Sequence, residues 1–303
     1  MSLDLAGTFL PVTTPFDPVT GDVDVVAFRA NLRHWFGSPI RGVLIAGSTG
    51  ESVLLDSSER LALLEAASDV VPEGGLVIAG TGRESTRGTI ELSRRSAEAG
   101  ADAVLVQPPA FFKGAMTPEA LARHYQAVAD GSPVPVLVYQ VPLRMSTLDL
   151  PTGLVEELSH HENIIGIKDS RGQLDLVGEL VEHSAEDFQV LVGSGALLYG
   201  ALETGAVGGI VAVGLLATAE AAEITVAWTE GRLQDAGRLQ ERIAPVHKRI
   251  VGGMGVPGVK AALDLLGLKG GAPRAPLSAA SQSKVEEIRG ILESAELLSA
   301  AGV

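Results

Sequence analysis

One lysine of this sequence stands at the end of an apolar run that is typical of a buried strand. Lys168 follows the residues IIGI at 164–167, whereas the other lysines lie in loops, beside other charges or in helix-like segments. Burial lowers the pKa of an ammonium group, and the neutral amine can then attack a carbonyl carbon to form an imine. The position therefore indicates carbonyl chemistry, with an ion pair between Lys168 and Asp169 or another carboxylate as the structural alternative.

A second apolar run ends in a loop of hydroxyls and glycines. Ser48 and Thr49 stand between glycines in the sequence GSTGE at 47–51. Glycines let backbone N–H groups approach a ligand, so these donors could hold a carboxylate. Two alternatives stay open. Residues 46–50 approximate the nucleophile elbow of serine hydrolases, with Ser48 as nucleophile, but no helix follows directly. The same composition is also typical of an ordinary turn whose hydroxyls are satisfied locally.

A tyrosine and an arginine follow a third apolar run. Tyr139 ends the run that begins at Val136, and Arg144 comes five residues later. A phenol in this position could pass protons to and from a substrate oxygen, although a tyrosine at a rim, with its hydroxyl in water, is the simpler interpretation. Arg144 is either a surface charge or a fork for a second carboxylate.

The remaining candidate groups argue against a metal or a nucleotide cofactor. The histidines show neither an HExxH pair nor a compact cluster with carboxylates, although a site built from carboxylates alone stays open. The sequence GSG at 193–195 lacks the third glycine of a dinucleotide-binding loop. There is no cysteine, which excludes disulfides, thiolate nucleophiles and iron–sulfur clusters. We therefore expect no cofactor and no metal.

The overall charge excludes two classes of partner. The net charge is −14, from 23 Lys and Arg against 37 Asp and Glu, so nucleic acids and anionic lipid surfaces would be repelled. The first nine residues do not form a signal peptide, and no uninterrupted apolar stretch approaches the roughly 20 residues that span a bilayer. We expect a cytoplasmic protein that acts on a small molecule.

The elements that must position these groups alternate along the chain. Short runs rich in apolar and β-branched residues occupy 8–12, 42–46, 76–79, 103–106, 136–139, 164–167, 189–192 and 209–213. Segments of helical spacing separate them, such as 57–70 and 86–99, and the pair Asp56 and Glu59 is typical of a capping box. Eight strand–helix units predict an α/β protein, a closed (β/α)8 TIM barrel rather than a doubly wound sheet.

The runs of strand type stop at Gly231. Residues 233–249, 257–266 and 281–298 have helical patterns, so we expect a barrel domain at 1–231 and a C-terminal helical domain at 232–303. Reactive groups of a barrel project from the C-terminal ends of its strands. The lysine, the hydroxyl loop and the tyrosine should therefore meet at one face.

Together these motifs resemble a known family. The stretches LPVTTPF at 10–16, GSTGE at 47–51, YQVP at 139–142, GIKDS at 166–170, GSG at 193–195 and GAVGG at 205–209 follow the family order. Over residues 7–277 the chain resembles the dihydrodipicolinate synthase / N-acetylneuraminate lyase superfamily of Schiff-base aldolases. The catalytic residues that this resemblance implies are Lys168, Tyr139 and Thr49, and the substrate-binding residues are Ser48, Thr49, Gly47, Arg144, Gly193 and Val211. It further implies pyruvate or a pyruvate-derived 2-oxo acid as substrate, no cofactor, and a homo-oligomer, either tetramer or dimer.

Within this superfamily the chain is most similar to 4-hydroxy-2-oxoglutarate aldolase. The stretches that carry this likeness are AGTGREST at 79–86, DFQVL at 187–191, GVPGVK at 255–260 and GAPRAPL at 271–277. Phe111 and Phe112 stand where the synthases commonly have a tyrosine pair, whereas Arg144 falls where synthases bind the carboxylate of the aldehyde. The alternatives are a dihydrodipicolinate synthase that condenses pyruvate with aspartate semialdehyde, a sugar-acid lyase or dehydratase, and a non-catalytic protein that binds 2-oxo acids.

Overall fold

The fold is a closed barrel of eight parallel strands surrounded by helices. The computed structural model describes residues 3–146 and 148–298. The strands are β1 Gly7–Pro11, β2 Gly42–Ile45, β3 Leu76–Gly80, β4 Ala103–Val106, β5 Val136–Gln140, β6 Ile164–Asp169, β7 Gln189–Val192 and β8 Gly208–Ile210. Each strand pairs in parallel with its neighbours along the chain, and β1 closes the barrel against β8. The predicted α/β fold class, a TIM barrel, is confirmed.

One helix follows each strand of the barrel. The helices of the barrel are α1 Val25–Trp35, α2 Ser57–Ser68, α3 Thr86–Glu98, α4 Pro118–Gly131, α5 Thr152–Ser159, α6 Leu174–His183, α7 Leu198–Glu203 and α8 Thr218–Thr229. The predicted capping box begins α2: the Asp56 carboxylate accepts from the Glu59 N–H, and the Glu59 carboxylate accepts from the Asp56 N–H, both at 2.9 Å. Gly100, with φ +99°, lies just beyond the end of α3.

The last strand is shorter than its sequence pattern suggests. The apolar run at 209–213 predicts a strand to its end, but β8 stops at Ile210 and Ala212–Leu215 forms a 3₁₀ turn. A side chain at Gly208 would collide with the backbone of Gly7, so this glycine permits β8 to pair closely with β1. The apolar residues beyond β8 are buried in the turn and therefore have the composition of a strand without its geometry.

Alternation along the strands divides the core into two parts. Leu44, Ile78, Leu137 and Leu191 fill the barrel interior, whereas their chain neighbours pack between the sheet and the helices. Tyr139 lies two residues after Leu137 and belongs to the interior set. The period of two along a strand thus directs the phenol into the barrel.

A helical extension follows the barrel. It consists of α9 Leu233–Val246, a π-helical segment His247–Gly252, α10 Gly253–Leu265 and α11 Gln282–Ser294. The predicted helices are present, but the first changes to π geometry at residue 247, shortly after Pro245, which has no N–H to donate to the preceding turn. Helix α10 has a kink at Gly255, whose φ is +64°.

The extension packs against the barrel, mainly through α8 and α9. The division at residues 231 and 232 stays a prediction, because the packing of the two parts does not test whether either folds alone. In the described part of the chain, no helix combines the length and apolar character needed to cross a membrane. The cytoplasmic location also stays a prediction.

Candidate active site

A cavity of about 160 Å³ opens at the C-terminal ends of the strands. Of the residues predicted for the site, those that line it are Ser48, Thr49, Tyr139, Arg144, Lys168 and Gly193. Gly47 and Val211 do not line it. Gly47 lines a small neighbouring cavity, and the Val211 side chain packs in the outer core while its neighbours Ile210 and Ala212 face the main cavity.

Lys168 is buried without an ionic partner. Its side chain is 5% exposed, it is the fifth residue of β6, and it lines the cavity. Across the described residues 3–146 and 148–298, its Nζ makes no ion pair or hydrogen bond to another side chain or carbonyl. Burial lowers the pKa of Lys168 from 10.5 to about 7. A substantial fraction of the amine is therefore neutral near pH 7, as attack on a carbonyl requires.

The neighbouring carboxylate does not pair with this lysine. Asp169 bonds Arg171 instead, at 2.6 Å between Oδ2 and Nε. Successive side chains of a strand point to opposite faces, which separates Asp169 from the Lys168 amine. The alternative interpretation, an ion pair between Lys168 and Asp169, is wrong.

Tyr139 faces the lysine across the β5–β6 pair. The two residues are register partners, and the Lys168 Nζ lies 4.7 Å from the centre of the phenol ring. The Tyr139 hydroxyl is 3.4 Å from Ser48 Oγ. Burial raises the pKa of Tyr139, so the phenol keeps its proton at neutral pH. At 5% exposure it is an interior residue rather than a tyrosine of the rim.

The hydroxyl loop has a strained, compact backbone. Ala46 and Glu51 have φ values of +53° and +59°, in the left-handed region that non-glycine residues seldom adopt. The N–H groups of Gly50 and Ser52 both donate to the Gly47 carbonyl, at 3.0 and 3.2 Å. These bonds form a tight turn that presents the hydroxyls of residues 48 and 49 to the cavity.

The serine hydrolase alternative lacks its base. The only side-chain bond that Ser48 makes in the described chain is to Tyr139, with no imidazole in reach. The cavity histidine, His247, contacts Ser194 on the other side. A nucleophilic serine requires an adjacent general base, so the geometry does not support this alternative.

A buried arginine lies beneath the hydroxyl loop. Arg60 of α2 is 4% exposed, donates to the carbonyls of Ser52 and Gly80, and has no acidic partner among the described residues. Burial lowers its pKa to about 10, which leaves it charged at neutral pH. It shares a small inner cavity with Ser48 and Tyr139, so its positive charge favours an anion at the loop. Nothing in the helical pattern of α2 distinguishes this arginine from a solvated one.

The charged groups that line the cavity all carry positive charge. They are Arg144, Arg171 and the protonated fraction of Lys168, with no aspartate or glutamate among the described lining residues. Arg144 is exposed, and in the described ranges it makes no ion pair, whereas Arg171 is neutralised by Asp169. In a chain with net charge −14, this is a local site for anions.

Four polar or charged lining residues were not predicted as site residues: Ser170, Arg171, Ser194 and His247. The two serines lie inside the family motifs GIKDS at 166–170 and GSG at 193–195, and these motifs are the sequence signal that could have identified them. His247 belongs to the extension, and the sequence contains no sign that the extension reaches the barrel mouth. Gly193 is required here, because a side chain at this position would collide with Ser170 and approach Lys168 Cε to 3.2 Å.

A second buried lysine attaches the extension to the hydroxyl loop. Lys260 is fully buried, and its Nζ donates to Thr14 O, Glu51 Oε1 and Ala272 O at 2.8 to 2.9 Å. The other oxygen of the Glu51 carboxylate accepts from the Arg274 N–H at 2.7 Å. Glu51 therefore ties the end of the loop to two places in the extension.

The same cavity shows no metal-binding cluster. In the ranges 3–146 and 148–298, no group of three or more histidine, aspartate or glutamate side chains is arranged to hold a metal ion. The chemistry that the described side chains supply is that of an unpaired amine, a phenol and hydroxyl donors.

This set of groups agrees with a comparison of the sequence with known families. A sequence model described as the Dihydrodipicolinate synthetase family matches residues 4–295. The chain belongs to the dihydrodipicolinate synthetase family. It is therefore an enzyme, a carbon–carbon lyase of the Schiff-base aldolase type.

Relatives within the family have more than one activity in their names. A 4-hydroxy-tetrahydrodipicolinate synthase of Heliobacterium modesticaldum is 33% identical over 283 residues, which cover 93% of each chain. A probable mitochondrial 4-hydroxy-2-oxoglutarate aldolase of Emericella nidulans is 33% identical over 287 residues, which cover 93% of this chain and 92% of the relative. Equal identity to the two leaves the substrate to be argued from the site.

Solved structures of the family share the whole architecture. YagE, a prophage protein of E. coli K12 in complex with pyruvate, superimposes with a TM-score of 0.90 at 27% identity, over 97% of this chain and 99% of that one. A dihydrodipicolinate synthase of Acinetobacter baumannii, complexed with pyruvate, gives 0.92 at 27% identity, over 97% and 100%. Both the barrel and its helical extension are therefore features of the family.

Proposed function

We propose that this protein is a pyruvate-dependent aldolase that cleaves 4-hydroxy-2-oxoglutarate to pyruvate and glyoxylate. The observation that carries the proposal is the buried, unpaired amine of Lys168 in a cavity that also contains carboxylate-binding groups. Ser48, Thr49 and Arg144 line this cavity together with the lysine. This arrangement suits a 2-oxo acid with a second carboxylate.

Imine formation is the first step. The neutral Lys168 amine attacks C2 of the substrate, and loss of water leaves a protonated imine. Ser48 and Thr49 hold the C1 carboxylate, which fixes the orientation of the carbonyl toward the amine. The charge of Arg60 beneath the loop favours the same carboxylate.

Bond cleavage follows at the other end of the imine. Tyr139 accepts the proton of the C4 hydroxyl as it donates its own phenolic proton to Ser48 Oγ, and this hydroxyl relay returns a proton to C3 in the next step. The C3–C4 bond breaks, and glyoxylate leaves as the new carbonyl forms. The bonding electrons pass into the imine and give an enamine. Protonation at C3 and hydrolysis of the imine then release pyruvate and return the free amine. Thr49 belongs to the catalytic set through its place beside this relay.

The loop after β4 supports cleavage over synthase activity. Phe111 and Phe112 occupy the positions at which the synthases commonly have tyrosines, and a phenyl ring cannot pass a proton. Their loop is held by Glu84, whose carboxylate accepts from the N–H groups of Ala110 and Phe111. The synthase remains the second candidate, because the Heliobacterium modesticaldum relative bears that name.

A substrate panel tests the proposal. Purified protein is incubated with 4-hydroxy-2-oxoglutarate, with a sugar-derived 2-oxo acid, or with pyruvate plus aspartate semialdehyde, while pyruvate release or consumption is followed. We expect pyruvate release from 4-hydroxy-2-oxoglutarate at the highest kcat/KM, and its loss in Lys168→Met. Faster pyruvate consumption with aspartate semialdehyde would replace the proposal with the synthase. Binding of pyruvate with no turnover on any member would indicate a 2-oxo-acid-binding protein.

We also propose that the protein is a homo-oligomer, a tetramer or a dimer. Phe111 and Phe112 are 79% and 71% exposed and contact each other edge to face, with ring centres 5.1 Å apart. Exposed aromatic side chains of this size are typical of protein interfaces. Light scattering should give a mass that is a multiple of 31.3 kDa, and Phe111→Ser/Phe112→Ser should lower it. A parent that elutes as a monomer at micromolar concentration would contradict this.

A further inference from the structure

Two side chains that the proposed mechanism does not use meet in the cavity. Ser194 lies in the loop after β7, and His247 stands where α9 gives way to the π-helical segment. The Ser194 Oγ and the His247 Nε2 are 3.3 Å apart, and both side chains line the cavity together with Arg144. Short π-helical segments are frequent at functional sites.

The surroundings of His247 fix where its proton lies. Burial, helped by the charges of Arg144 and Lys248, lowers its pKa to about 4, so the ring is neutral at pH 7. Its Nδ1 is buried and has no hydrogen-bond partner among the described residues. A proton on Nδ1 would be an unsatisfied buried donor, whereas a proton on Nε2 can be donated to Ser194 Oγ. The tautomer with its proton on Nε2 therefore has the lower free energy.

This tautomer determines what the serine can do. Ser194 Oγ has no other hydrogen bond in the described chain, so once it accepts from His247 its own proton is free for a ligand. Gly195 allows the arrangement, because a side chain there would approach His247 Nδ1 to 3.3 Å and collide with Val213. The Gly195 carbonyl is held by Gln240 Nε2 of α9 at 3.0 Å. Residues of the loop after β7 and residues of the extension therefore both contribute to this contact.

We propose that Ser194, oriented by His247, selects a five-carbon 2-oxo diacid by donating a hydrogen bond to its far carboxylate in a subsite that Arg144 also lines. This rests on the proposed function, since the near end of the diacid is joined to Lys168. Ser194 is the specificity-determining residue and His247 its positioning residue. The absence of acidic side chains from the described cavity lining is what an anion at this end requires.

Imine trapping with two matched acids tests the subsite without turnover. 2-Oxoglutarate and 2-oxopentanoate have equal chain lengths and differ in a carboxylate against a methyl group at C5. Each is titrated against the protein with borohydride, and the half-saturating concentration for the adduct on Lys168 is read by intact mass. The variants are Ser194→Ala, His247→Phe and His247→Gln, the last of which keeps an N–H donor near the position of Nε2.

The expected result is a selective loss. The parent should prefer 2-oxoglutarate, and Ser194→Ala and His247→Phe should raise its half-saturating concentration about tenfold, the factor for one charge-assisted hydrogen bond. Values for 2-oxopentanoate and pyruvate should stay within about twofold, and His247→Gln should restore 2-oxoglutarate to within about threefold of the parent.

Two results would refute the subsite, and a third would refute the proposed function. The subsite is refuted if the parent binds the two acids with equal affinity. It is also refuted if Ser194→Ala and His247→Phe lower the affinity for both acids equally, because Ser194 and His247 then do not recognise the far carboxylate. If the parent traps pyruvate in the same experiment, imine formation at Lys168 is supported under either of these results. No pyruvate adduct in the parent would overturn the proposed function, and the subsite with it.

Discussion

Lys168 and Lys260 are both withdrawn from solvent, at 5% and 0% exposure, yet their surroundings differ completely. The Lys260 ammonium donates all three of its protons, to one carboxylate and two carbonyls. Lys168 has no such acceptor among the described residues and lies against the face of a phenol. Burial lowers the pKa of both groups, but only at Lys260 do carboxylates oppose the shift, first that of Glu51 and then that of Asp264.

The difference shows that burial alone does not make a lysine a nucleophile. A nitrogen that donates three hydrogen bonds as an ammonium has no lone pair to offer. A buried amine without acceptors gains by losing its proton, since charge without compensation is costly in the interior. Lys260 therefore joins the extension to the loop at Glu51, and Lys168 is the amine for imine chemistry.

The largest effect expected from this comparison is on imine formation. Lys168→Met should abolish the borohydride-trapped pyruvate adduct and lower kcat/KM by at least about 10⁴-fold, because no other amine lines the described cavity. Lys260→Met, in its folded fraction, should still form the adduct, and peptide mapping should place it on residue 168. An adduct on another lysine in Lys168→Met would break the assignment.

The same two substitutions should change stability in opposite directions. Lys260→Met leaves Glu51 buried without its cation and should cost about 3 to 5 kcal/mol. Lys168→Met removes a group whose pKa falls from 10.5 to about 7 on folding, and should stabilise by about 2 to 5 kcal/mol at pH 7. The unfolded chain binds more protons at Lys168 between pH 7 and 10.5, so the stability of the parent rises with pH there and the gain shrinks.

Denaturant unfolding at pH 7 and pH 9.5 measures both changes. The double variant Glu51→Met/Lys260→Met is the matched control, because it removes the carboxylate together with its cation and should recover part of the loss of Lys260→Met. Destabilisation by Lys168→Met would mean that its ammonium has a compensating partner after all.

The pH dependence of imine formation also distinguishes Lys168 from Lys260. With a pKa of about 7 for Lys168, the initial rate of adduct formation should level off above about pH 8 and fall about tenfold per unit well below pH 7. Since the reactive form is the neutral amine, the rate rises as the pH rises. Glu51→Gln, which changes a group in contact with Lys260 and not with Lys168, should leave the midpoint unchanged. A midpoint near 10 would refute the effect of burial on Lys168.

The smallest expected effect concerns the loop that Lys260 helps to hold. Glu51→Gln keeps one acceptor for Lys260 but weakens both bonds of the Glu51 carboxylate to the extension. We expect a rise of about threefold in the half-saturating pyruvate concentration, with little change in kcat, because the hydroxyls at 48 and 49 are less well fixed. Steady-state kinetics measures both values. A fall in kcat at unchanged KM would place Glu51 in the chemistry instead.

Most of the fold could be predicted from local patterns. Strand and helix order follows from periodicity, and the capping box at Asp56 and the glycine end of α3 follow from two or three neighbouring residues. The errors fall where tertiary contacts overrule these patterns. The run after β8 has the composition of a strand but folds as a buried turn, and α9 changes to π geometry where the extension meets the barrel mouth.

The site could be predicted only as far as strand ends identify it. Lys168 and Tyr139 are visible because each ends an apolar run, and the period of two directs both into the barrel. His247 and Arg60 lie on helices with ordinary patterns, so their proximity to the cavity is a property of packing. Gly47 and Val211 belong to the right segments, but Gly47 has no side chain to extend into the cavity and the Val211 side chain packs in the outer core.

By itself the sequence determined the order of strands and helices, and therefore which residues stand at the reactive face of a barrel. The tertiary structure decided which buried charges are compensated. Lys260 meets Thr14 and Glu51 across 246 and 209 residues of chain, and Lys168 meets no acidic group at all within the described residues. Hydrophobic periodicity is encoded locally, but the acceptors around a buried amine come from distant segments, and they decide whether it is a nucleophile or an ionic link.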